Sequence, residues 1–383
     1  MNIYSRQFSV FCKTMDKYKT KVLKIDPSTI KFDNESNQME ILDRHTKDVL
    51  EEAAKLLQDS QVVGFPTETV YGLGASSLSS DAVERIYEAK NRPADNPLIS
   101  HISSLKMIKD VFHTEIPEIY KPLVAKFWPG PLSIVLPNTP ECPVSPVVTA
   151  GQDTFAVRFP ENKVARALIE FSNLPLAAPS ANASTKPSPT TAEHVLADLD
   201  GKIPLIIDGG QCSVGLESTV VDGTVDPPML LRPGGVSLEE ISSVGNGWEK
   251  IVLGKKTAGQ YEKVRTPGMK YKHYSPTAKV VLFEGYKNAS EAIGMYRQGH
   301  DVEGKKVAVL RSKYWSECGH NVSLIISLGK TGEEIQRNLF AALRTSDKEG
   351  VDIIFVEGVE EEEQGLAIMN RLSKAASEIY SKE

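Results

Sequence analysis

The sequence lacks the residue patterns that build metal centres and disulfide frameworks. Its four cysteines are scattered, and no two of them form a Cys-x-x-Cys pair: Cys12, Cys142, Cys212 and Cys318. The seven histidines form no His-x-x-His or His-Glu-x-x-His pattern. A zinc site and a disulfide-stabilised secreted domain are therefore disfavoured, and this cysteine usage fits a reducing compartment such as the cytoplasm.

Long apolar runs and the common nucleotide-binding glycine motifs are also missing. No apolar stretch approaches the roughly 20 residues that a membrane-spanning helix needs. No Gly-x-x-x-x-Gly-Lys-Ser/Thr sequence occurs, and no Gly-x-Gly-x-x-Gly follows a predicted strand. Any nucleotide site in this chain must therefore hold phosphates without a P-loop or a Rossmann glycine turn.

An excess of positive charge is absent as well. The 44 lysines and arginines are outnumbered by 50 acidic residues, which gives a formal net charge of -6 at pH 7. This balance argues against a large basic surface for nucleic acid but allows a local basic pocket. The 383 residues are enough for two domains.

Apolar periodicity predicts a mixed α/β domain in the first part of the chain. Helical spacing of apolar residues predicts helices over 46–59 and 81–90. Short apolar runs between glycine and proline turns predict strands at 61–66, 97–102, 132–136, 154–159, 176–178, 203–208, 218–221 and 229–232. This pattern ends near residue 245, which indicates a domain boundary.

The last third of the chain has the pattern of a second, smaller domain. A basic and aromatic segment over 265–276 follows a stretch rich in glycine, lysine and serine, and together they predict a linker. After it, predicted strands alternate with predicted helices: strands at 279–283, 306–310, 323–327 and 352–357, and helices at 332–343 and 366–380. This alternation predicts a small α/β domain with a parallel sheet.

Two short segments together suggest a site that holds anions. Lys90 and Arg92 precede a loop stiffened by proline, and a rigid loop that carries arginine suits bidentate recognition of phosphate. Cations on the last turn of a helix are also favoured by the helix dipole alone, so this signal has a structural alternative. Ser180 and Asn182 follow an apolar strand, where open α/β sheets bind ligands.

Three further residues lie in unusual positions for their type. Arg158 interrupts an apolar strand, so it needs a carboxylate partner from the protein or from a ligand. Arg232 repeats this arrangement at the end of another predicted strand. His101 also follows a strand, where a histidine is more often a structural hydrogen-bonding group than a ligand.

The first 15 residues contain Arg6 and Lys13, several hydroxyl residues and no acid. This composition weakly resembles a mitochondrial presequence, and Met15 offers a second start. The alternative interpretation of residues 1–20, a disordered tail, is the one that we favour.

Seven motifs, in their order along the chain, resemble the threonylcarbamoyl-AMP synthase family, whose catalytic unit is a YrdC-like domain. They lie at 65–73, 90–93, 96–98, 128–131, 178–182, 217–220 and 231–234. Their combination is specific, whereas each motif alone is weak. The resemblance places the YrdC-like catalytic domain at 46–240, a linker or lid at 241–277 and a C-terminal domain at 278–383, as in the longer, fungal-like members. Residues 1–45 remain an N-terminal extension outside the family pattern.

The resemblance implies a fold and a reaction. The fold is α/β, with a twisted mixed sheet, helices and a concave basic cavity, followed by a smaller Rossmann-like C-terminal domain. The reaction is a nucleotidyl transfer that converts L-threonine, bicarbonate and ATP into L-threonylcarbamoyl-AMP, pyrophosphate and water. The product serves t6A modification of ANN-decoding tRNAs through a KEOPS-type partner complex, so tRNA contact is expected to be indirect or weak.

The resemblance also implies roles for individual residues. The expected catalytic set is Lys90, Arg92, Ser180 and Asn182. The expected ATP contacts are Arg92, Asn96, Thr154, Ser180, Ser188, Arg232 and Tyr274. The expected threonine contacts are Thr69, His101, Arg158, Ala178 through its backbone, and Ser218. Magnesium is expected to arrive with ATP, without a dedicated metal site or a tightly bound cofactor.

Two other functions stay open at this point. An RNA-binding module without ATP turnover would use the same basic pocket, although the net charge and the absence of an RNA-binding motif disfavour it. Carbamoyl-adenylate chemistry, as in hydrogenase-maturation proteins that share this domain, would require acylphosphatase-like and zinc-finger segments. The chain has neither of these segments.

Overall fold

The structure is a computed structural model that describes residues 17–33, 36–92, 96–254, 273–316 and 322–382. The residues of the presequence hypothesis, Met15 included, and about half of the predicted linker, residues 255–272, lie outside these ranges. Residues 17–20, which the tail interpretation included, are held against the body of the protein, since the Tyr18 hydroxyl donates to Gln61 Oε1 at 2.8 Å. No helix in the described ranges is long and apolar enough to cross a membrane.

The first unit combines short strands with eight α-helices in the described residues. Its strands are β1 (Lys21–Lys24), β2 (Ile30–Phe32), β3 (Met39–Ile41), β4 (Val63–Phe65), β5 (Gly72–Ser76), β6 (Ile99–His101), β7 (Leu132–Pro137), β8 (Thr154–Arg158), β9 (Leu176–Ala177), β10 (Leu205–Asp208), β11 (Thr219–Asp222), β12 (Met229–Arg232) and β13 (Val252–Leu253). Its helices are α1 (Arg44–Gln58), α2 (Ser80–Lys90), α3 (Lys106–Asp110), α4 (Lys121–Phe127), α5 (Pro146–Thr149), α6 (Lys163–Ser172), α7 (Ala192–Leu199) and α8 (Leu238–Ser242).

Eleven of these described strands form one mixed sheet, in the order β1-β10-β4-β5-β9-β6-β8-β7-β11-β12-β13. Strands β6 and β8 are parallel neighbours, whereas β7 and β8 are antiparallel. The mixed α/β domain predicted from periodicity is therefore confirmed. The predicted helix over 46–59 is confirmed as α1, whose N-cap Asp43 accepts from the Thr46 amide at 2.7 Å.

The first unit begins before the predicted boundary at residue 45. Strand β1 pairs in parallel with β10 at the edge of the large sheet, and β2 pairs with β3 in a hairpin. Ile25 and Ile30 are buried in a core that also contains residues of α1 and α6. These strands have only three or four residues, mostly exposed in β1, so apolar alternation does not reveal them. The same sheet also extends to β13, beyond the predicted end at residue 240.

The second unit is a parallel α/β domain, as predicted. Its described elements are β14 (Lys279–Glu284), α9 (Ala289–Gly299), β15 (Val307–Arg311), β16 (Leu324–Ser327), α10 (Gly332–Lys348), β17 (Ile353–Glu357), α11 (Gln364–Ala375) and β18 (Glu378–Ser381). The strands pair in parallel in the order β16-β15-β17-β14-β18. The predicted helix over 366–380 is too long, because the chain leaves α11 at Ala375 and adds β18 to the sheet beside β14.

The two units share buried contacts. Among the described residues, two ion pairs cross between the units: Arg344 Nη2 lies 2.7 Å from Asp198 Oδ2, and Arg371 Nε lies 2.8 Å from Glu217 Oε2. Gly215 of the first unit has a φ of 82°, and a Cβ there would lie 2.5 Å from Arg337 Cα. Only glycine permits this close approach of the two backbones. The second unit is therefore packed directly against the segment around residues 213–217.

We expect Ile30→Ala to lower the free energy of unfolding by about 3 kcal/mol, because it removes a fully buried side chain from the core beside α1 and α6. Leu42→Ala is the matched control, since Leu42 is 58% exposed, and it should change stability by less than about 0.5 kcal/mol. Urea denaturation of both variants checks this. Equal, small effects would show that residues 21–41 are not part of the folded core.

Candidate active site

The main candidate site is a cavity lined by residues from several strands and loops of the first unit. His101 and Arg158 end the parallel strands β6 and β8 and are register partners. The segment after β9 crosses this region, because Ala178 donates to Ile99 O and Ser180 bridges Gly72 at the start of β5. Residues distant in sequence are thus brought to one cavity by strand pairing.

Arg158 finds its carboxylate partner within the protein. Its Nη2 lies 2.6 Å from Glu68 Oε1, and both side chains are about 4% exposed. Its Nη1 donates to Thr69 Oγ1 at 2.8 Å, and its Nε donates to Gly130 O at 3.3 Å. The guanidinium is therefore fixed in orientation at the cavity wall. Sequence reasoning required a carboxylate but did not identify Glu68, which lies within the motif at 65–73.

His101 is a buried, neutral imidazole. Burial, helped by the charge of Arg158, lowers the pKa of His101 to about 3. Its Nδ1 lies 3.1 Å from Ile99 O and 3.3 Å from Leu176 O. Because a carbonyl can only accept, Nδ1 carries the proton and Nε2 is left as an acceptor. The ring can thus orient a donor on a ligand but is too weak a base to remove a proton near pH 7.

Lys90 and Arg92, at the end of α2, have different surroundings. Asn91 caps the helix in the left-handed conformation with a φ of 50°, which asparagine tolerates better than most residues. Lys90 Nζ donates to Ser180 O and, at 2.6 Å, to Asn182 O. Burial lowers the pKa of Lys90 well below its usual range. Arg92 lines the cavity, whereas Lys90 supports the loop that carries Ser180.

Arg232 is held by the segment that follows Glu217. Its Nη2 donates to Ser218 O at 2.9 Å and to Ser218 Oγ at 3.1 Å. Burial lowers the pKa of Arg232 to about 10, so it remains charged at neutral pH. A Cβ on Gly234 would lie 2.3 Å from Glu217 O, so glycine is needed where these two segments meet.

Glu217 is a buried carboxylate at the contact between the two units. Its Oε1 accepts from the Ser188 hydroxyl at 2.5 Å, and its Oε2 accepts from Arg371 Nε at 2.8 Å. Burial raises the pKa of Glu217, but the nearby Arg371 and Arg232 outweigh this effect and lower it to about 2. Glu217 is therefore ionised, and its charge is matched by a residue of the second unit.

Tyr274 covers the cavity from the linker side. It is 2% exposed and its φ is 60°, a left-handed conformation that is strained for tyrosine. Its ring stacks on Phe340 of α10, with the ring centres 5.2 Å apart and an interplanar angle of 28°. The ring of His273, tilted by 56° against that of Tyr274 with the ring centres 4.2 Å apart, also lines the cavity. The described end of the linker is thus packed between the cavity and the second unit.

The cavity suits anionic ligands. Among the described lining residues, the cations Arg92, Arg158 and Arg232 outnumber the single carboxylate of Glu217. No cluster of three or more histidine, cysteine or acidic side chains that could hold a metal occurs in the described ranges. Glu217, the carboxylate of the lining, is already engaged by Arg371 and Ser188.

The structure brings together most, but not all, of the residues predicted to form the site. The cavity is lined by Thr69, Arg92, His101, Arg158, Ala178, Ser180, Ser218, Arg232 and Tyr274. The predicted residues outside its lining are Lys90, Asn96, Thr154, Ser188 and Asn182. Lys90 and Asn182 shape the loop at 180–186, Ser188 orients Glu217, and Thr154 begins β8 at the opposite end from Arg158. The ligand roles assigned to all of these residues stay predictions.

Sequence reasoning missed some lining residues. Thr67, Glu217 and His273 line the cavity, and each lies within or beside a segment that the sequence analysis singled out. Their neighbours Thr69, Ser218 and Tyr274 were assigned ligand contacts instead. The structure brings both members of each pair to the cavity, which depends on backbone twist and loop path and is not revealed by one sequence.

Two family models cover nearly all of the chain beyond residue 54. A model of the Sua5, YciO and YrdC domain, described as telomere recombination, matches residues 55–234. A second model, described as the threonylcarbamoyl-AMP synthase C-terminal domain, matches residues 236–377. The first span lies within the first unit, and the second covers most of the second unit together with the end of the first.

Relatives with both units are similar over almost their whole length. The threonylcarbamoyl-AMP synthase of Schizosaccharomyces pombe is 51% identical over 94% of this chain and 98% of the relative. The threonylcarbamoyl-AMP synthase of Bacillus subtilis is 46% identical over 85% of this chain and 92% of the relative. A crystal structure of Pyrococcus abyssi Sua5 complexed with L-threonine is 43% identical with a TM-score of 0.80, and it covers 95% of this chain and 99% of that one.

We expect His101 to make the protein less stable as the pH falls from 7 to 5. In this window the unfolded chain protonates His101, whose ordinary pKa is about 6.5, but the folded protein does not, which costs about 2 kcal/mol at pH 5. Denaturation at both pH values should therefore show a smaller loss of stability in His101→Asn than in the unchanged protein. Equal pH dependence would show that His101 is readily protonated in the folded state.

Proposed function

The chain belongs to the threonylcarbamoyl-AMP synthase family, and we propose that L-threonine, bicarbonate and ATP react in the cavity described above. The products are L-threonylcarbamoyl-AMP, pyrophosphate and water, so the chain is an enzyme of the nucleotidyltransferase type. The observation that carries this location is the convergence of Arg92, Arg158 and Arg232 on one largely buried cavity. Such fixed cations are what a reaction between two anionic partners requires.

The reaction has two steps that need position and charge rather than a side-chain nucleophile. The amine of threonine adds to bicarbonate, which gives a carbamate and releases water. A carbamate oxygen then attacks the α-phosphorus of ATP, and pyrophosphate leaves. Negative charge builds up on the phosphate oxygens, and Arg92, Arg232 and the Ser180 hydroxyl, which all line the cavity, would stabilise it.

Threonine is expected to bind on the side of the cavity where β6 and β8 end. Arg158 would attract its carboxylate, and the bond to Thr69 and the ion pair with Glu68 hold the guanidinium in place for this contact. The Nε2 acceptor of His101 would orient a donor group of the amino acid. Ser218, held by Arg232, would complete the contacts.

The linker would act as a lid. The carbamate and the mixed anhydride are both sensitive to water, so a closed site protects them. Tyr274 lies over the cavity and contacts Phe340 of the second unit, which supports a role of that unit in closing the site. Tyr274 would also contact ATP when the nucleotide binds.

The remaining participants are proposed from the family. Magnesium would enter with ATP, and the residues of the cavity would hold the nucleotide rather than the metal ion. The product would pass to a KEOPS-type complex that modifies tRNA, so direct tRNA contact would be weak. We propose a cytoplasmic protein, with a mitochondrial form only if the first residues act as a presequence.

Pyrophosphate release with ATP, bicarbonate and each amino acid in turn tests this function. We expect release to depend on L-threonine and on bicarbonate. Release that is indifferent to threonine would contradict the proposal. Salt-sensitive RNA binding with no pyrophosphate release would instead favour the RNA-binding alternative.

We expect Arg92→Ala to lower the rate of pyrophosphate release by about 100-fold or more, because one fixed donor at a developing charge typically contributes this much. Arg44→Ala is the matched control, because the Arg44 side chain is 93% exposed and remote from the cavity lining. Steady-state assays of both variants measure the difference. A loss below about threefold in Arg92→Ala would argue against its role at the phosphate.

A further inference from the structure

We propose that Arg371, on α11 of the second unit, is a positioning residue that keeps Arg232 and Tyr274 in place for ATP. Through it, the second unit would set the affinity of the site for the nucleotide. This inference rests on the proposed function and assigns a specific residue to the effect of the second unit on the site.

Arg371 connects three segments at the cavity. Its side chain is fully buried, its Nε donates to Glu217 Oε2 at 2.8 Å, and its Nη1 donates to Pro233 O at 2.8 Å. The centre of its guanidinium lies 5.6 Å from the ring of Tyr274. Glu217 and Tyr274 line the cavity, whereas Arg371 does not, so it can act on a ligand only through these neighbours.

The first route of action is through the charge of Glu217. A buried carboxylate that loses its cation is costly, so it recruits another cation within reach. Arg232 is the candidate, because it already bonds Ser218, the residue next to Glu217. Without Arg371, Arg232 would turn toward Glu217 and would be less available to the phosphates of ATP. Arg371 therefore matters because it neutralises Glu217.

The second route is through Tyr274. Its left-handed backbone is strained, and surrounding contacts must offset this strain. The ring contacts Phe340 of α10 and lies near the guanidinium of Arg371, and both of these partners come from the second unit. Loss of Arg371 would therefore remove one of the two contacts that hold the ring and weaken its contact with the nucleotide. Both routes act directly on groups proposed to contact ATP and reach threonine only through the bond of Arg232 to Ser218, so we expect a larger effect on ATP than on threonine.

The test compares Arg371→Met with Arg344→Met in the full-length protein. Methionine keeps much of the packing of the arginine stem but removes its charge. Arg344→Met removes a second buried ion pair between the units, the one with Asp198. Arg344 also donates to Pro187 O, and neither Asp198 nor Pro187 lines the cavity. This control separates a general loss of contact between the units from a specific effect of Arg371.

We expect Arg371→Met to raise the KM for ATP and the Kd for ATP by about tenfold, which corresponds to about 1.4 kcal/mol. The KM for threonine should change by less than about twofold, a difference within about 0.5 kcal/mol. Arg344→Met should leave all three constants within the same twofold range. Adding Glu217→Gln to Arg371→Met should restore part of the ATP affinity, because the uncompensated charge is then removed.

Several outcomes would overturn the proposal. Equal effects of Arg371→Met and Arg344→Met, or a parallel rise in the KM values for ATP and threonine, would show that Arg371 is only structural. No recovery in the double variant would exclude the route through Glu217. ATP binding measured by calorimetry does not require turnover. If the unchanged protein released no pyrophosphate, the proposed function would be contradicted, but the effect of Arg371 on ATP binding could still be measured. If Arg371→Met unfolds, Arg371→Lys, which keeps a cation beside Glu217, should retain more ATP affinity than Arg371→Gln, which removes the charge but keeps a polar side chain. Equal losses in these two variants would overturn the proposal.

Discussion

The buried ion pair between Glu217 and Arg371 is the interaction on which the site and the domain contact both depend. A carboxylate at this depth is stable only with a cation and hydrogen-bond donors, which Arg371 and Ser188 supply from two different units. The pair fixes the backbone beside Ser218 and hence the position of Arg232. The second unit is thereby part of the electrostatics of the cavity as well as a neighbour that packs against it.

Buried side chains behind the cavity fix the residues that line it. Glu68 orients Arg158 through an ion pair, and Lys90 donates to carbonyls of the loop that carries Ser180. These buried contacts restrict the motion of side chains that face the ligand, so little reorganisation is needed when charge develops during the reaction. Such an arrangement suits chemistry that depends on the placement of anions and on exclusion of water, rather than on an activated nucleophile.

Much of the fold was predictable, but its edges were not. The helix α1 and the parallel sheet of the second unit follow from apolar periodicity, because each has a face that must be buried. Strand β1 and the hairpin of β2 and β3 were missed, since strands of three or four residues carry too little periodicity. Strand β18 was read as helix because its exposed alternation continues the polar pattern at the end of α11.

The sequence by itself determined the two α/β units, the segments that carry the site and the need of Arg158 for a carboxylate. These properties are local, because they arise from side-chain periodicity, proline stiffness and the cost of burying a charge. Only the tertiary structure decided that Glu68 is this partner, that Lys90 bonds the carbonyls of Ser180 and Asn182 instead of lining the cavity, and that Arg371 reaches Glu217. These contacts join residues 90 or more positions apart, and strand pairing and domain packing bring them together.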